Sequence, residues 1–114
     1  MVFVVQEVPG RDVLSANKFG QIKLLLPPGD VVLSTVPTLN RLRKSLREFS
    51  DADYLLLMGC PVAIGMATMV AQEVNRGVVK MLKWDRRNFC YYEVIVDMHS
   101  RLLDPSSSLK AVAA

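Results

Sequence analysis

The pattern of apolar and polar residues along the chain predicts six strands and two helices, in the order β-β-β-α-β-α-β-β. Short runs rich in β-branched and aliphatic residues, bounded by Pro, Gly and Asp, are typical of strands. These runs predict strands at residues 2–8, 21–26, 31–34, 54–58, 78–84 and 89–98. Residues 11–19 are mostly polar and are expected to form a surface connection with one helical turn.

Apolar residues at helical spacing predict the two helices. The first helix has Pro37 in its first turn, Thr35 or Thr38 as its cap and an end near Phe49. Its apolar stripe consists of Leu39, Leu42, Leu46 and Phe49. The second helix is expected to begin at Pro61 and to stop at Gly77. Three of its alanines, spaced by four, would let it pack closely on a sheet: Ala63, Ala67 and Ala71.

The order of these elements predicts the fold class. Strands joined through helices are expected to be parallel, whereas the last two strands, joined by a turn at residues 85–88, form an antiparallel hairpin. The alternation within residues 89–98 predicts one buried and one solvated face. The prediction is a small Rossmann-like mixed α/β sheet with a parallel centre and an antiparallel C-terminal hairpin. It forms a single domain over residues 1–103, followed by a flexible tail over residues 104–114.

Composition and charge agree with a globular protein. Hydrophobic residues make up 51% of the chain and charged residues 22%, and the net charge is only +3. The N-terminus lacks the features of a secretory signal, which favours a cytoplasmic protein. Residues 54–72 carry no charged side chain, but Gly59-Cys60-Pro61 interrupts them, so we expect a strand and a helix and no contact with a membrane.

Basic residues in two places suggest contact with nucleic acid. One group lies on the first helix, away from its apolar stripe: Arg41, Arg43, Lys44 and Arg47. A second group surrounds the fifth predicted strand and the hairpin turn, beside Trp84, Phe89 and Tyr91: Arg76, Lys80, Lys83, Arg86 and Arg87. Basic side chains interleaved with aromatic rings can follow a phosphate backbone and stack on bases. We therefore predict a non-enzymatic accessory protein that contacts nucleic acid or a nucleic-acid-processing partner; the alternative is an ordinary solvated surface with Trp84 in the core.

A second hypothesis is a small-molecule module that holds a nucleotide or another anion. Ligands of open parallel sheets bind beyond the carboxyl ends of the strands, where helix N-termini favour anions. The residues in question are Ser34, Thr35, Thr38, Gly59 and Cys60. They could instead be helix caps and a tight turn. No G-x-G-x-x-G or complete phosphate-binding loop is present, and no cofactor is expected.

Catalysis and metal binding receive little support, whereas self-association remains open. Cys60 at a helix N-terminus is the one candidate nucleophile, but no base lies near it in sequence, and His99 is better explained as a surface residue. One histidine and two separate cysteines cannot build a metal site. The apolar second helix and the exposed side of the last strand, with Tyr91 and Ile95, could form a homodimer, or a purely structural homo-oligomer.

Three sequence stretches resemble a group of viral proteins. They are residues 53–61, DYLLLMGCP, residues 75–77, NRG, and residues 82–86, LKWDR. Together they resemble short proteins encoded by tailed phages, over about residues 31–98, to which no activity is assigned. The resemblance implies a viral protein that acts in the cytoplasm of a bacterial host, and it carries over no functional residue.

Overall fold

One sheet with helices on both faces forms the fold. The computed structural model describes residues 1–29 and 35–100, so the strand predicted at 31–34 and the tail predicted at 104–114 lie outside the described residues. The strands within those ranges are β1 (Val2–Gln6), β2 (Ile22–Leu26), β3 (Tyr54–Leu56), β4 (Val78–Asp85) and β5 (Cys90–Asp97). The helices are a short 3-10 helix, Leu14–Phe19, and the α-helices α1 (Thr35–Ser45) and α2 (Pro61–Val74).

The strand order in the described part of the sheet is β2-β1-β3-β4-β5. The pairs β1–β2, β1–β3 and β3–β4 are parallel, whereas β4 and β5 form an antiparallel hairpin. The predicted mixed α/β class, with a parallel centre and an antiparallel C-terminal hairpin, is therefore confirmed.

Two apolar cores, one on each face of the sheet, explain the continuous apolar runs of the central strands. On one face, α1 and α2 cover Phe3, Val5 and Leu55. On the other face, the 3-10 helix and its flanking residues pack near Val2, Val4 and Leu56. Successive side chains of a strand point to opposite faces, so a strand covered on both faces is apolar at every position. The alanines of α2 at positions 63, 67 and 71 are fully buried, which confirms the predicted close packing.

Three predicted ends, those of β1, α1 and β3, were wrong because the chain leaves each element before its apolar pattern ends. Strand β1 ends at Gln6 and not at Val8. Helix α1 ends at Ser45, and the chain then turns, with the Phe49 N–H donating to the Leu46 carbonyl oxygen at 2.9 Å. Leu46 and Phe49 stay buried in this turn, so the apolar stripe continues beyond the end of the helix. Strand β3 ends at Leu56, where the Met58 N–H donates to the Leu56 carbonyl oxygen at 3.0 Å in a tight turn.

The prediction of one buried face on the last strand was also wrong. Within β5, only Tyr91 is buried, although it lies on the side that was predicted to be exposed. On the other side of the strand, Tyr92 and Val96 are exposed at 40% and 38%. The reason is that β5 lies at the edge of the sheet, beyond the area that α1 and α2 cover in the described residues.

The uncharged segment 54–72 folds as β3, a loop and most of α2. None of the helices among the described residues combines the length and the apolar character that a bilayer span requires.

Candidate functional site

A cleft opens at the carboxyl ends of the parallel strands. From β1 the chain passes to β2 on one side, whereas from β3 it passes to β4 on the other side, so the strand order reverses between β1 and β3. In open α/β sheets, such a switch point leaves a crevice in which ligands bind. Here the crevice is a cavity of about 450 Å³. Its lining comes from the segments that follow β1 and β3 and from the β4–β5 hairpin.

The lining of the cleft is largely apolar and aromatic, with one pair of charged residues. The aromatic residues are Trp84, Phe89 and Tyr91, and the charged pair is Arg11 and Asp12. Other lining residues are Val8, Gly10, Leu56, Leu57, Met58, Gly59 and Ile64. An apolar cavity with a few polar groups is the usual composition of a small-ligand site.

Tyr91 forms the buried floor of the cleft and Phe89 its exposed rim. The Tyr91 ring meets the Trp84 ring edge to face, with centroids 4.9 Å apart, and its hydroxyl donates to the carbonyl oxygen of Asp12. Burial, and then the nearby Asp12 charge, raise the pKa of Tyr91 above its ordinary value. Phe89, in contrast, is 77% exposed. The cleft therefore has a fixed aromatic floor, formed by Tyr91 against Trp84, and a second ring, Phe89, that is accessible to a ligand.

The hairpin turn that carries Phe89 is held by Asp85. Its carboxylate accepts hydrogen bonds from the backbone N–H of Arg87 at 2.9 Å and from the side-chain amide of Asn88 at 2.8 Å. These bonds lower the pKa of Asp85. Phe89 adopts a left-handed backbone conformation, with φ of 51°. Arg86 and Arg87, whose side chains are exposed, therefore lie on a defined turn between Trp84 and Phe89, two residues that line the cleft.

The charged pair of the cleft lies at the start of the 3-10 helix. The Asp12 carboxylate accepts hydrogen bonds from the Ser15 hydroxyl and, at 3.1 Å, from the Ser15 N–H. These bonds lower the pKa of Asp12, so that it is ionised at neutral pH beside Arg11. Neither residue was predicted as functional, because in sequence they belong to an unremarkable polar connection.

Beside the cleft, Gln6 links the end of β1 to the start of α2. It is buried, with 3% exposure, and its side-chain nitrogen donates to the carbonyl oxygens of Pro27, at 2.8 Å, and Gly29. Its Oε1 accepts the backbone N–H of Cys60 at 2.8 Å. Cys60 is one of the residues predicted to hold an anion, and its backbone N–H already has this internal partner.

The other members of the predicted anion site fall into separate positions. Ser34 lies outside the described residues, Thr35 is the exposed first residue of α1, and Thr38 is half-buried one turn further on. Gly59 has φ of 117°, and a Cβ there would overlap the Gln6 side chain, so a close approach explains this glycine. Helix α1 follows β2, and Gly59 follows β3, which lies two strands away in the sheet, so the predicted anion site stays a prediction.

The weak catalytic candidate, Cys60, has no histidine beside it. His99 contacts the carbonyl oxygen of Arg76, just beyond the C-terminal end of α2, whereas Cys60 precedes its first residue. A helix of 14 residues separates the two side chains by about 20 Å. Cys60 and Cys90 form no disulfide in the described structure.

The predicted basic residues do not form one surface. Lys44 and Arg47 line a cavity of about 300 Å³ beside Met1 and Asp53, at the amino ends of β1 and β3. Arg41 lines another cavity near Pro27, and Arg43 lies 3.6 Å from the Glu73 carboxylate. Arg86 and Arg87 follow the carboxyl end of β4, at the opposite end of the sheet. Of the predicted nucleic-acid contacts, only this last pair adjoins the aromatic cleft.

No cluster of three or more His, Cys, Asp and Glu side chains that could hold a metal ion occurs within residues 1–29 and 35–100.

Comparison with known proteins identifies the class of protein to which the chain belongs. The resemblance to phage-encoded proteins is confirmed, because a model of a phage protein family matches residues 1–98. The chain belongs to the family described as Phage Pam3 gp32-like protein. No curated protein and no solved structure matches it, so the Rossmann-like character of the sheet stays a prediction. The description of the family states no activity, and the function has to be argued from the cleft.

Proposed function

We propose that this phage protein is a non-enzymatic accessory protein that binds single-stranded nucleic acid at the strand-end cleft. The observation that carries the proposal is that one hairpin turn holds both the exposed ring of Phe89, which lines the cleft, and the exposed residues Arg86 and Arg87. Nonspecific binding of single strands needs these two components, a stacking platform and cations along the backbone.

An unpaired base would stack on Phe89 and enter the cleft towards Trp84. The volume of about 450 Å³ suits a ligand of this size, since small-molecule pockets range from about 300 to 1,000 Å³. The Asp12 carboxylate at the cleft would accept a hydrogen bond from an N–H group on the edge of the base. A base paired in a duplex cannot reach this position, so single strands are the preferred ligand.

The phosphates of the strand would follow the rim, where Arg86 and Arg87 are exposed, and Arg11 would supply a third contact. Asp12 repels a phosphate from the cleft itself, which favours the orientation with the base inward and the backbone outward. Three contacts to a single strand give a slope of log affinity against log salt of about −2.

The test is a titration of a fluorescent oligothymidine and of a duplex of equal length, monitored by anisotropy at several salt concentrations. The proposal predicts tighter binding of the single strand and affinity that falls with salt. Equal or tighter binding of the duplex, or no binding at low salt, would contradict it. Thymidine monophosphate bound as tightly as the oligonucleotide would instead identify the cleft as a mononucleotide site.

A further inference from the structure

The outer edge of β5 is long, and its side chains are mostly apolar apart from Glu93 and Asp97. Strand β5 is the last in the order of the described sheet, and its eight residues, CYYEVIVD, include no proline and no lysine. Proteins that keep such an edge single use short strands, prolines, bulges or lysines to prevent pairing with another chain. The register of β4 with β5 is continuous from Val78–Asp97 to Asp85–Cys90, without a bulge. These features favour pairing of the edge with a further strand.

We propose that β5 pairs with β5 of a second copy, in antiparallel orientation, and that the two sheets become one. A two-fold axis perpendicular to the sheet keeps each residue on the same face in both copies. Residues that lie opposite each other must then differ by an even number of positions. For a strand of eight residues, the two longest registers of this kind place either Glu93 or Val94 opposite its own copy.

The charge pattern of β5 decides between these two registers. The register centred on Glu93 places two carboxylates directly opposite each other, which destabilises the pair. The register centred on Val94 places Glu93 opposite Ile95 of the partner subunit and Tyr91 opposite Asp97 of the partner subunit. No like charges oppose each other in this arrangement of β5, so the second register is the one we assign.

The same register places apolar side chains on the α1/α2 face of one copy next to those of the second copy. Val96 lies opposite Val79, which belongs to the core beneath α2, so Tyr92, Val94 and Val96 share the face of α1 and α2. Pairing around Val94 sets Tyr92 opposite Val96 of the partner subunit and Val94 opposite its own copy. The six residues form a continuous stripe, and the exposed fractions of Tyr92 and Val96, 40% and 38%, would fall on dimerisation.

Sedimentation equilibrium of the full chain and of Val94→Lys tests the proposal. Val94→Lys places two ammonium groups opposite each other and should weaken the dimer at least tenfold. Val62→Lys, at an exposed valine of α2, is the matched control and should leave the dimer unchanged. Circular dichroism verifies that both variants fold. A monomeric wild-type chain, or a dimer that withstands Val94→Lys in a folded variant, overturns the proposal.

Cysteine crosslinking tests the register in the same dimer. Val94→Cys should form a disulfide between copies under mild oxidation, because each residue 94 faces its own copy. Glu93→Cys is the matched control, since it would face its own copy only in the rejected register. Preferential crosslinking of Glu93→Cys, or equal crosslinking of the two variants, overturns the assigned register.

Discussion

The side-chain oxygen of Gln6, at the end of β1, accepts the backbone N–H of Cys60, the residue before α2, at 2.8 Å. The nitrogen of the same amide donates to the carbonyl oxygens of Pro27 and Gly29, beyond β2. One buried side chain therefore joins the ends of three neighbouring strands. The Gln6 amide group occupies the place where a sheet of this topology often holds an anionic ligand. It fixes the strand ends beside the aromatic cleft.

Replacement of Gln6 by alanine should lower the free energy of unfolding by about 2–4 kcal/mol, since each buried backbone group left without a partner costs about 1–3 kcal/mol. Urea denaturation measures the effect. Gln21→Ala is the control, because Gln21 is exposed and its replacement should change stability by less than about 0.5 kcal/mol. A loss no larger than that of the control would mean that Gln6 does not hold the strand ends together.

Gly59→Ala should destabilise the fold through both backbone strain and overlap with Gln6. A φ of 117° is costly for alanine, and the added Cβ would lie 2.8 Å from Gln6 Oε1. We expect a loss of about 2–4 kcal/mol. Gly65→Ala, within α2, is the matched control, because its Cβ would meet nothing within 4 Å among the described residues. That control should stabilise by up to about 1 kcal/mol in thermal unfolding, since alanine favours a helix. Two variants of equal stability would contradict the assigned role of Gly59.

Most of the fold could be predicted because its signals are local. The apolar stripe of α1, the alanines of α2 and the Asp-Arg-Arg-Asn turn each report a conformation through their own spacing. What failed depends on position in the sheet. The alternation of β5 is that of a half-buried strand, yet α1 and α2 do not extend over it in the described residues, so Tyr92 and Val96 are exposed. Sequence periodicity cannot reveal where a covering layer ends.

The candidate site was only partly predictable. The proximity of Arg86 and Arg87 to Trp84 and Phe89 is visible in the sequence, because all four lie within residues 84–89 of one hairpin. The contribution of Arg11 and Asp12 depends on contacts across the fold, such as the bond from Tyr91 to the Asp12 carbonyl oxygen, 79 positions away. Gln6 gave one signal, a polar residue at the end of an apolar strand, but its three partners follow only from the strand order.

Tyr91 should make stability depend on pH at the alkaline end. Its pKa is raised above 10.0 in the folded state, so its contribution is complete below about pH 10 and is lost as the pH rises through the folded pKa. Tyr91→Phe removes the hydrogen bond and should cost about 1 kcal/mol at pH 8. The difference from wild type should shrink at pH 10.5 and above. Urea denaturation at both pH values gives the comparison, and a constant difference would contradict the assigned pKa shift.

Phe89→Ala should weaken binding of single-stranded oligonucleotide without loss of stability, because the ring is 77% exposed. Stacking of one base on an aromatic side chain contributes about 1–3 kcal/mol, so affinity should fall by roughly 5- to 150-fold. Anisotropy titration gives the affinity and thermal unfolding the stability. Met69→Ala, at an exposed apolar residue of α2, is the control and should bind as wild type. Unchanged affinity in Phe89→Ala would exclude this ring as the stacking platform.

The most direct test of the proposed function compares two double variants with the same change in charge. Arg86→Ala/Arg87→Ala removes the cations at the rim of the cleft, and Lys44→Ala/Arg47→Ala removes two cations at the opposite end of the sheet. Affinity for a labelled single strand is measured at several salt concentrations. The cleft account predicts that the hairpin variant loses affinity and that its salt slope becomes shallower by about 1 or more, whereas the helix variant stays close to wild type. Equal losses in both variants, or a larger loss in the helix variant, would contradict binding at the cleft.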